Sequence, residues 1–272
     1  MNGISFGQYY PTSSPLHKLD PRIKIILTVL YIICSFICKN LISYALLLLS
    51  AILLVIIGRV PLRIILKGLK GILFVLLFTA VLNVFWTKGE ALLWEWRFIA
   101  IYAEGLYSAL FIMIRISVLI IGTGMLLTYT TTPIALTNAI EDLLSPLKKL
   151  HVPVHSFAMM MTIALRFIPT LTEETERIMT AQKARGADFA SGGLIQRAKA
   201  LIPVLIPLFV SAFNRAGDLA TAMECRCYNG GEGRTRMTVR KIRVVDFIPL
   251  VLIIAFGAGL VVFNMLGIGY TA

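Results

Sequence analysis

Two stretches of the chain end in an arginine flanked by small side chains. Residues 175–186 read TERIMTAQKARG, and residues 215–228 read RAGDLATAMECRCY. The two arginines and their neighbours are Ala184-Arg185-Gly186 and Cys225-Arg226-Cys227. A single arginine at a helix C-terminus complements the helix dipole and would need no further explanation. Because the pattern occurs twice, we interpret Arg185 and Arg226 as exposed knobs for grooves on another protein, where the planar guanidinium can bind carboxylate and backbone oxygens.

Small residues also recur every four positions before the second arginine, at Ala212, Ala216 and Ala220. On a helix this spacing forms a stripe that lets a second helix backbone approach closely. Alanine is also simply a good helix former. The sequence leaves both explanations open, a close helix crossing and plain helix propensity.

Residues that could carry catalysis do not form a known motif. The glycine-rich stretch 230–233 lacks the Lys and Ser/Thr with which a Walker A loop holds phosphate and Mg²⁺. His151 and His155 stand four apart, but Pro153 between them prevents a helical metal chelate, so both are expected to be solvated loop residues. We therefore expect no catalytic residue, no metal site and no cofactor.

The paired cysteines and the isolated charge within an apolar stretch also give little support for a metal site or a catalytic site. Cys225 and Cys227 are two residues apart, so on a helix they would point to nearly opposite sides. Arg115 is the single charge in a long apolar stretch, where an ionisable residue is costly. We expect Arg115 to snorkel or to pair inside a helix bundle.

The composition indicates the elements that must hold these residues. The chain has 272 residues, of which 58% are hydrophobic and 15% charged, and its mean hydropathy is +0.84. Soluble domains have about 25% charged residues, so an ordinary cytosolic enzyme, a disordered chain and a secreted disulfide scaffold are excluded. We predict an all-α, polytopic helical membrane protein with about five spans. The apolar stretches are 23–38, 41–57, 71–86, 105–128 and 247–270.

The charge distribution predicts which side of the membrane each loop faces. The formal net charge is +12, from 26 Lys and Arg against 14 Asp and Glu. In a membrane protein such an excess marks cytoplasmic loops, and we expect no nucleic-acid partner. Basic residues precede the first stretch and separate the second from the third, whereas the two alternate loops hold only Lys39, Lys88 and Arg97. The N-terminus is therefore predicted to be cytoplasmic and, with five spans, the C-terminus to be outside.

The segment 129–246 differs from the rest because it holds 15 of the 26 basic and 10 of the 14 acidic residues. We predict a cytoplasmic region of three helices, over about 133–149, 155–185 and 193–228, with the last two starting against the membrane. Prolines at 169, 203 and 207 should bend these helices without abolishing them. The predicted division is 1–128 for the N-terminal tail and four spans, 129–246 for the cytoplasmic helices and 247–272 for the last span.

Three motifs in order resemble one family. The family is the transmembrane T component of energy-coupling factor transporters. The first motif that resembles it is GQYYP (7–11) with SPLHKLDPRIK (14–24), the second runs from RFIP to KARG (166–186), and the third is residues 215–228. The resemblance covers nearly the whole chain. One departure is that the family usually has Ala-Arg-Gly at both arginines, whereas the second here reads Cys-Arg-Cys.

The resemblance implies a non-catalytic scaffold in the cell membrane of a prokaryote. Such a component joins two ATP-binding-cassette ATPases, which bind the ATP, to a small membrane substrate-binding (S) subunit, and the complex imports vitamins or transition-metal ions. Two long coupling helices cross beneath the membrane, and each terminal arginine, here Arg185 and Arg226, sits in a groove of one ATPase. Closure of the ATPases then rocks the helices and topples the S subunit.

Two other classes remain as alternatives. A membrane lipid or prenyl-diphosphate transferase would need a carboxylate cluster for Mg²⁺, and Glu173, Glu174 and Glu176 are the dense candidates, without an Asp-rich partner. An autonomous secondary transporter would show paired inverted repeats, and the sequence has no such symmetry. Only the scaffold should co-purify with two ATPase chains.

Overall fold

Capping and turn residues set the ends of the first helices. The computed structural model describes residues 9–87, 92–96, 99–150, 152–189, 191, 193–230 and 243–265. Asp20 accepts a hydrogen bond from the Arg22 amide (2.9 Å) and Pro21 takes the first helical position, so the second helix begins there. The first five helices are α1 (Pro15–Lys18), α2 (Pro21–Ile37), α3 (Leu41–Gly58), α4 (Leu62–Lys70) and α5 (Leu73–Trp86).

A short antiparallel hairpin lies between α5 and the next long helix. Its strands are β1 (Leu92–Trp96) and β2 (Ile99–Tyr102), and Trp96 pairs with Ile99. This part of the chain was predicted only as a loop between two spans, and the hairpin forms within that loop because two β-prone runs lie close enough to pair. The following helix, α6 (Ala103–Thr123), continues into a π-helical turn, Gly124–Thr128.

The second half of the chain contains two 31-residue helices. Pro169 lies inside the first, and Pro203 and Pro207 lie inside the second, and neither helix is interrupted, as predicted. The elements are α7 (Pro133–Leu143), a 3₁₀ helix (Ser145–Leu150), α8 (Val154–Ala184), α9 (Leu194–Glu224), a 3₁₀ helix (Val244–Phe247) and α10 (Ile248–Met265).

The helices confirm the predicted class, an all-α polytopic membrane protein, with the hairpin as an addition. Five described helices are long and apolar enough to cross a bilayer, and α4 with α5, bent by 57°, would make a sixth. The five are α3, α6 with its π turn, α8, α9 and α10 with the preceding 3₁₀ turn. This set differs from the five predicted spans. The first predicted span is the 17-residue α2, the third is α5, and α8 and α9 were expected in the cytoplasm.

Two compact units form along the chain. The first comprises Met1–Leu136 and Arg240–Ala272, and the second comprises Thr137–Val239. In the first unit α2, α3, α6 and α10 meet in an apolar core, where Leu27, Leu47 and Phe111 are at most 2% exposed. The division at residues 129 and 246 that the charge pattern suggests stays a prediction.

Arg115 is held inside the first unit by the turn between α2 and α3, as expected from its position in an apolar stretch. Its Nη2 donates to the Cys38 carbonyl (2.9 Å) and to the Tyr44 hydroxyl. The guanidinium also lies 5.3 Å from the centre of the Tyr44 ring, which stacks on Phe111. This cation–π contact and the hydrogen bonds compensate part of the cost of an apolar position.

The N-terminal segment is tied to the chain that follows α6. The Tyr10 amide donates to the Tyr129 carbonyl (3.0 Å), and Nζ of Lys24 donates to the Thr130 carbonyl (2.8 Å) and to Oγ1 of Thr131 (3.2 Å). Lys24 is only 2% exposed. The second half of the SPLHKLDPRIK motif therefore has a structural role, because it fixes the segment from which α7 starts.

Candidate functional site: two arginine-terminated helices

The first predicted arginine lies at the exposed end of α8. Ala184, Arg185 and Gly186 are all exposed. Gly186 has a φ of +87°, a left-handed conformation that glycine adopts without strain. The Gly186 amide donates to the Lys183 carbonyl and the Ala187 amide to the Gln182 carbonyl, both at 3.0 Å. This pair of bonds is the Schellman motif, which satisfies carbonyls at a helix C-terminus.

The second predicted arginine lies at an end of the same kind. Cys225, Arg226 and Cys227 follow α9 and are all exposed. The Cys227 amide donates to the Glu224 carbonyl (2.9 Å) and the Tyr228 amide to the Met223 carbonyl (3.0 Å). Both thiols are free.

The two helix ends have the same hydrogen-bond pattern although their sequences differ. In each, the residue after the arginine bonds three residues back and the next one bonds five residues back. Cys227 takes the left-handed position that glycine takes after Arg185, with a φ of +55°. The bulkier Cys-Arg-Cys sequence therefore preserves the backbone that presents the arginine, at the cost of a conformation that L-residues rarely adopt.

An ion pair joins the two long helices. Nη2 of Arg215 in α9 lies 2.6 Å from Oε2 of Glu174 in α8, and Nε of Arg215 donates to Oγ of Ser211 (3.4 Å). Further along α8, Nε2 of Gln182 donates to the Pro203 carbonyl (3.5 Å). Moving toward the C-terminus of α8 thus means moving toward the N-terminus of α9, so the helices run in opposite directions at this contact.

The ion pair divides the two helices into equal arms. Arg185 is 11 residues beyond Glu174, and Arg226 is 11 residues beyond Arg215. At 1.5 Å per residue each arm is about 16 Å long. Because the helices are antiparallel here, the arginines lie on opposite sides of the pair. The sequence pointed to Glu174 only as one of several glutamates and did not identify its partner; the shared spacing of 11 was the available signal.

The alanine stripe borders a groove between the same two helices. Ala212, Ala216 and Ala220 line it from α9, and the groove measures about 270 Å³. The opposite wall comes from α8 and consists of Ile163, Phe167 and Leu171. Ala216 and Ala220 are exposed, so the alanines lie beside α8 with open space above them. A Cβ at Gly217 would meet no atom within 4 Å, so no close approach requires glycine at this position.

Other candidate residues are arranged differently from expectation. Nδ1 of His155 lies 3.0 Å from Oε1 of the buried Glu141, so the expectation of a solvated loop histidine is wrong for His155, which links α8 to α7. His151 lies outside the described residues. Of the three clustered glutamates, Glu174 is engaged by Arg215, whereas Glu173 and Glu176 are exposed.

The fold and these helices define a class: a multi-pass, all-α membrane protein that carries a pair of antiparallel helices with exposed arginine ends. The sequence profile of the family described as "Cobalt transport protein" (CbiQ) matches residues 12–237. Three relatives carry the name "Energy-coupling factor transporter transmembrane protein EcfT". The protein from Ruminiclostridium cellulolyticum is 56% identical over 248 residues (91% of each chain), that from Clostridium kluyveri is 52% identical over 246 residues (90% of this chain and 91% of the relative), and that from Bacillus subtilis is 50% identical over 236 residues (87% and 89%).

The chain belongs to this family, the EcfT/CbiQ-like transmembrane components of energy-coupling factor transporters. The resemblance of its three motifs is thereby confirmed. It is a transporter subunit of the membrane.

Proposed function

We propose that this chain is the energy-transducing scaffold of an ATP-binding-cassette importer. In this proposal it couples ATP hydrolysis by two cytoplasmic ATPases to movement of a membrane S subunit that carries a vitamin or another micronutrient. The observation that carries the proposal is the pair of matching arginine ends on two antiparallel helices joined by an ion pair.

Each arginine end suits insertion into a groove of an ATPase. The side chain follows a closed helix terminus, so the backbone carbonyls beneath it are already bonded and the guanidinium remains available to a partner. Small or short neighbours leave space on both sides of the arginine. A planar guanidinium can then bind carboxylate and carbonyl oxygens of the groove together.

The ion pair suits the transmission of a movement. Two sites of the same chemistry, about 16 Å away on opposite sides of one contact, match two copies or two homologous forms of one kind of partner. When one ATPase moves toward the other, both arms of the helix pair would move together. The alanine-lined groove is the proposed place where the S subunit contacts this helix pair.

The proposal also includes the position of α8 and α9 in the membrane. Both helices are long and apolar enough to cross a bilayer, but their acidic and basic residues concentrate in the C-terminal half of α8 and at both ends of α9. We place their apolar parts against the bilayer and both arginine ends in the cytoplasm, together with the N-terminus, in the plasma membrane of a prokaryote.

The test is a double charge reversal, Arg185→Glu with Arg226→Glu, expressed with the two ATPases and an S subunit encoded by the same organism. Leaving buried partner groups unpaired costs about 2–5 kcal/mol at a protein interface. The ATPases should therefore no longer co-purify, while the amount of the chain in the membrane stays normal because both residues are exposed.

Arg197→Glu is the matched control, since Arg197 is an exposed arginine in the first turn of α9 and terminates neither helix. This variant should keep both ATPases. Arg185→Lys should weaken retention, because an ammonium group cannot reproduce the planar fork. Normal ATPase retention in the double variant would refute the proposal.

A further inference from the structure

The nine-residue helix α4, between two apolar helices of the first unit, has three distinct faces. One face packs on protein: Ile65 is buried with Val60, Met125 and Tyr129. Gly68 lies on the same side, where a Cβ would come within 2.9 Å of the Tyr129 hydroxyl. A close approach of this kind fixes which side of α4 faces the core.

The second face is apolar and uncovered within the chain. Leu62 and Leu66 are one turn apart and are 63% and 60% exposed, and half-buried Leu69 continues the same side. At 100° per residue these leucines occupy one arc of the helix. Two strongly exposed leucines on so short a helix indicate contact with an apolar environment outside the chain.

The third face is cationic. Arg63, Lys67 and Lys70 follow one another at spacings of four and three, so they form a row beside the leucines. Arg59 precedes the helix in a left-handed conformation and adds a fourth cation. All four side chains are exposed, and none of these side chains makes a hydrogen bond or an ion pair in the part of the chain that the structure describes. The stretch 59–70 contains no acidic residue.

The orientation of α4 relative to α5 completes the pattern. The two helices are bent by 57° at the break around residues 71–72. The apolar α5 is suited to the hydrocarbon of a bilayer, so a helix turned away from it by this angle leaves the direction of the span and runs toward the membrane surface.

We propose that α4 is an interfacial helix whose cationic row binds the headgroups of anionic phospholipids. Its leucines enter the boundary between headgroups and acyl chains, and its cations lie at the level of the phosphates. The alternation of an apolar arc and an adjacent basic arc is the arrangement by which helices lie in a membrane surface. This inference does not depend on the role of Arg185 or Arg226.

The test measures lipid binding to the full chain purified in detergent. Native mass spectrometry with phosphatidylglycerol or phosphatidylcholine added gives the dissociation constant of the first lipid. One basic residue near an anionic surface contributes about fivefold in affinity. Wild type should therefore bind phosphatidylglycerol more tightly than phosphatidylcholine, and the preference should fall as the salt concentration rises.

Removal of the row should remove the preference. The triple variant R63Q/K67Q/K70Q should bind phosphatidylglycerol roughly tenfold or more weakly and phosphatidylcholine unchanged, and Lys67→Gln alone should lose about fivefold. Arg63→Lys keeps the charge and should keep the affinity. The control K183Q/R197Q/K199Q removes three exposed charges from α8 and α9 and should leave the preference in place.

Three results would overturn the inference. Wild type could show no preference for phosphatidylglycerol, or the control triple could lose as much as the α4 triple, which would indicate a general charge effect. Alternatively, the α4 triple could keep its lipid preference but lose the co-purifying ATPases. The row would then face an acidic protein surface instead of the lipid.

Because the side chains of Arg63, Lys67 and Lys70 are exposed and make no described contact, their substitution should not unfold the chain. Lys67→Gln provides the test if the triple variant is unstable.

Discussion

The buried ammonium group of Lys24 allows a sharp test of how the start of α7 is held. Nζ of Lys24 donates to the carbonyl of Thr130 and to the hydroxyl of Thr131, at 2.8 and 3.2 Å. All three residues are buried, at 2–7% exposure. Replacing Thr131 with Val removes the side-chain acceptor, keeps the shape of the residue, and leaves the bond to the Thr130 carbonyl in place.

The size of the effect follows from the kind of bond that is lost. A hydrogen bond that involves a charged group contributes about 1.5–3 kcal/mol. For a chain of more than 200 residues, each kcal/mol lowers the melting temperature by about 2–4 °C. Thr131→Val should therefore lower the melting temperature of the chain, purified in detergent, by roughly 3–10 °C.

The neighbouring residue supplies a matched control. Thr130 is equally buried, but its hydroxyl donates within its own helical turn to the Leu126 carbonyl (2.9 Å). Thr130→Val removes a neutral hydrogen bond of about 0.5–1.5 kcal/mol and should give the smaller shift. Thr131→Ser retains the acceptor and should melt close to wild type. If Thr131→Val melts no lower than Thr130→Val, the Lys24 contact does not stabilise this segment.

Three other outcomes are expected. Ala216→Leu should fold normally, because the exposed Ala216 borders an open groove, but should weaken co-purification of the S subunit by about 1–3 kcal/mol; unchanged co-purification would contradict a contact there. Cys227→Gly should raise the melting temperature by roughly 2–4 °C, since glycine tolerates the φ of +55°, whereas Cys225→Ala, at a helical position, should change it little. A membrane-impermeant thiol reagent added outside should label Lys88→Cys but not Lys148→Cys, and the reverse labelling would invert the proposed topology.

Sequence periodicity was sufficient to predict the long helices and where they end, because strong local signals mark their ends. The expected ends near 185 and 228 lie within four residues of the ends of α8 and α9, where glycine or a left-handed residue stops the helix. Apolar run length located α3 and the start of α10 equally well. Length and hydropathy did not determine which helices cross the bilayer, since α8 and α9 are, like α3, long and apolar enough to do so.

Two elements were missed for physical reasons. The basic residues of 59–70 were interpreted only as a marker of sidedness, although their spacing alternates with leucines at a helical period, and α4 forms there. The hairpin of β1 and β2 is stabilised by pairing between neighbouring runs, which a search for isolated apolar spans does not detect. Both elements lie between longer apolar helices, where apolar run length carries no signal.

The contact between Glu174 and Arg215 could not be predicted from the sequence, because it joins residues that are 41 positions apart and lie on two different helices. Its position gives it a role separate from that of the arginine ends. Arg185 and Arg226 end arms of equal length that contain no proline, since Pro169, Pro203 and Pro207 all precede the pair in their helices. Each arm is therefore a continuous, hydrogen-bonded helix, and displacement of one end must be taken up at the contact between the helices. In the proposed scaffold the arginines would determine whether the ATPases are bound, and the ion pair would determine whether their movement reaches the other arm.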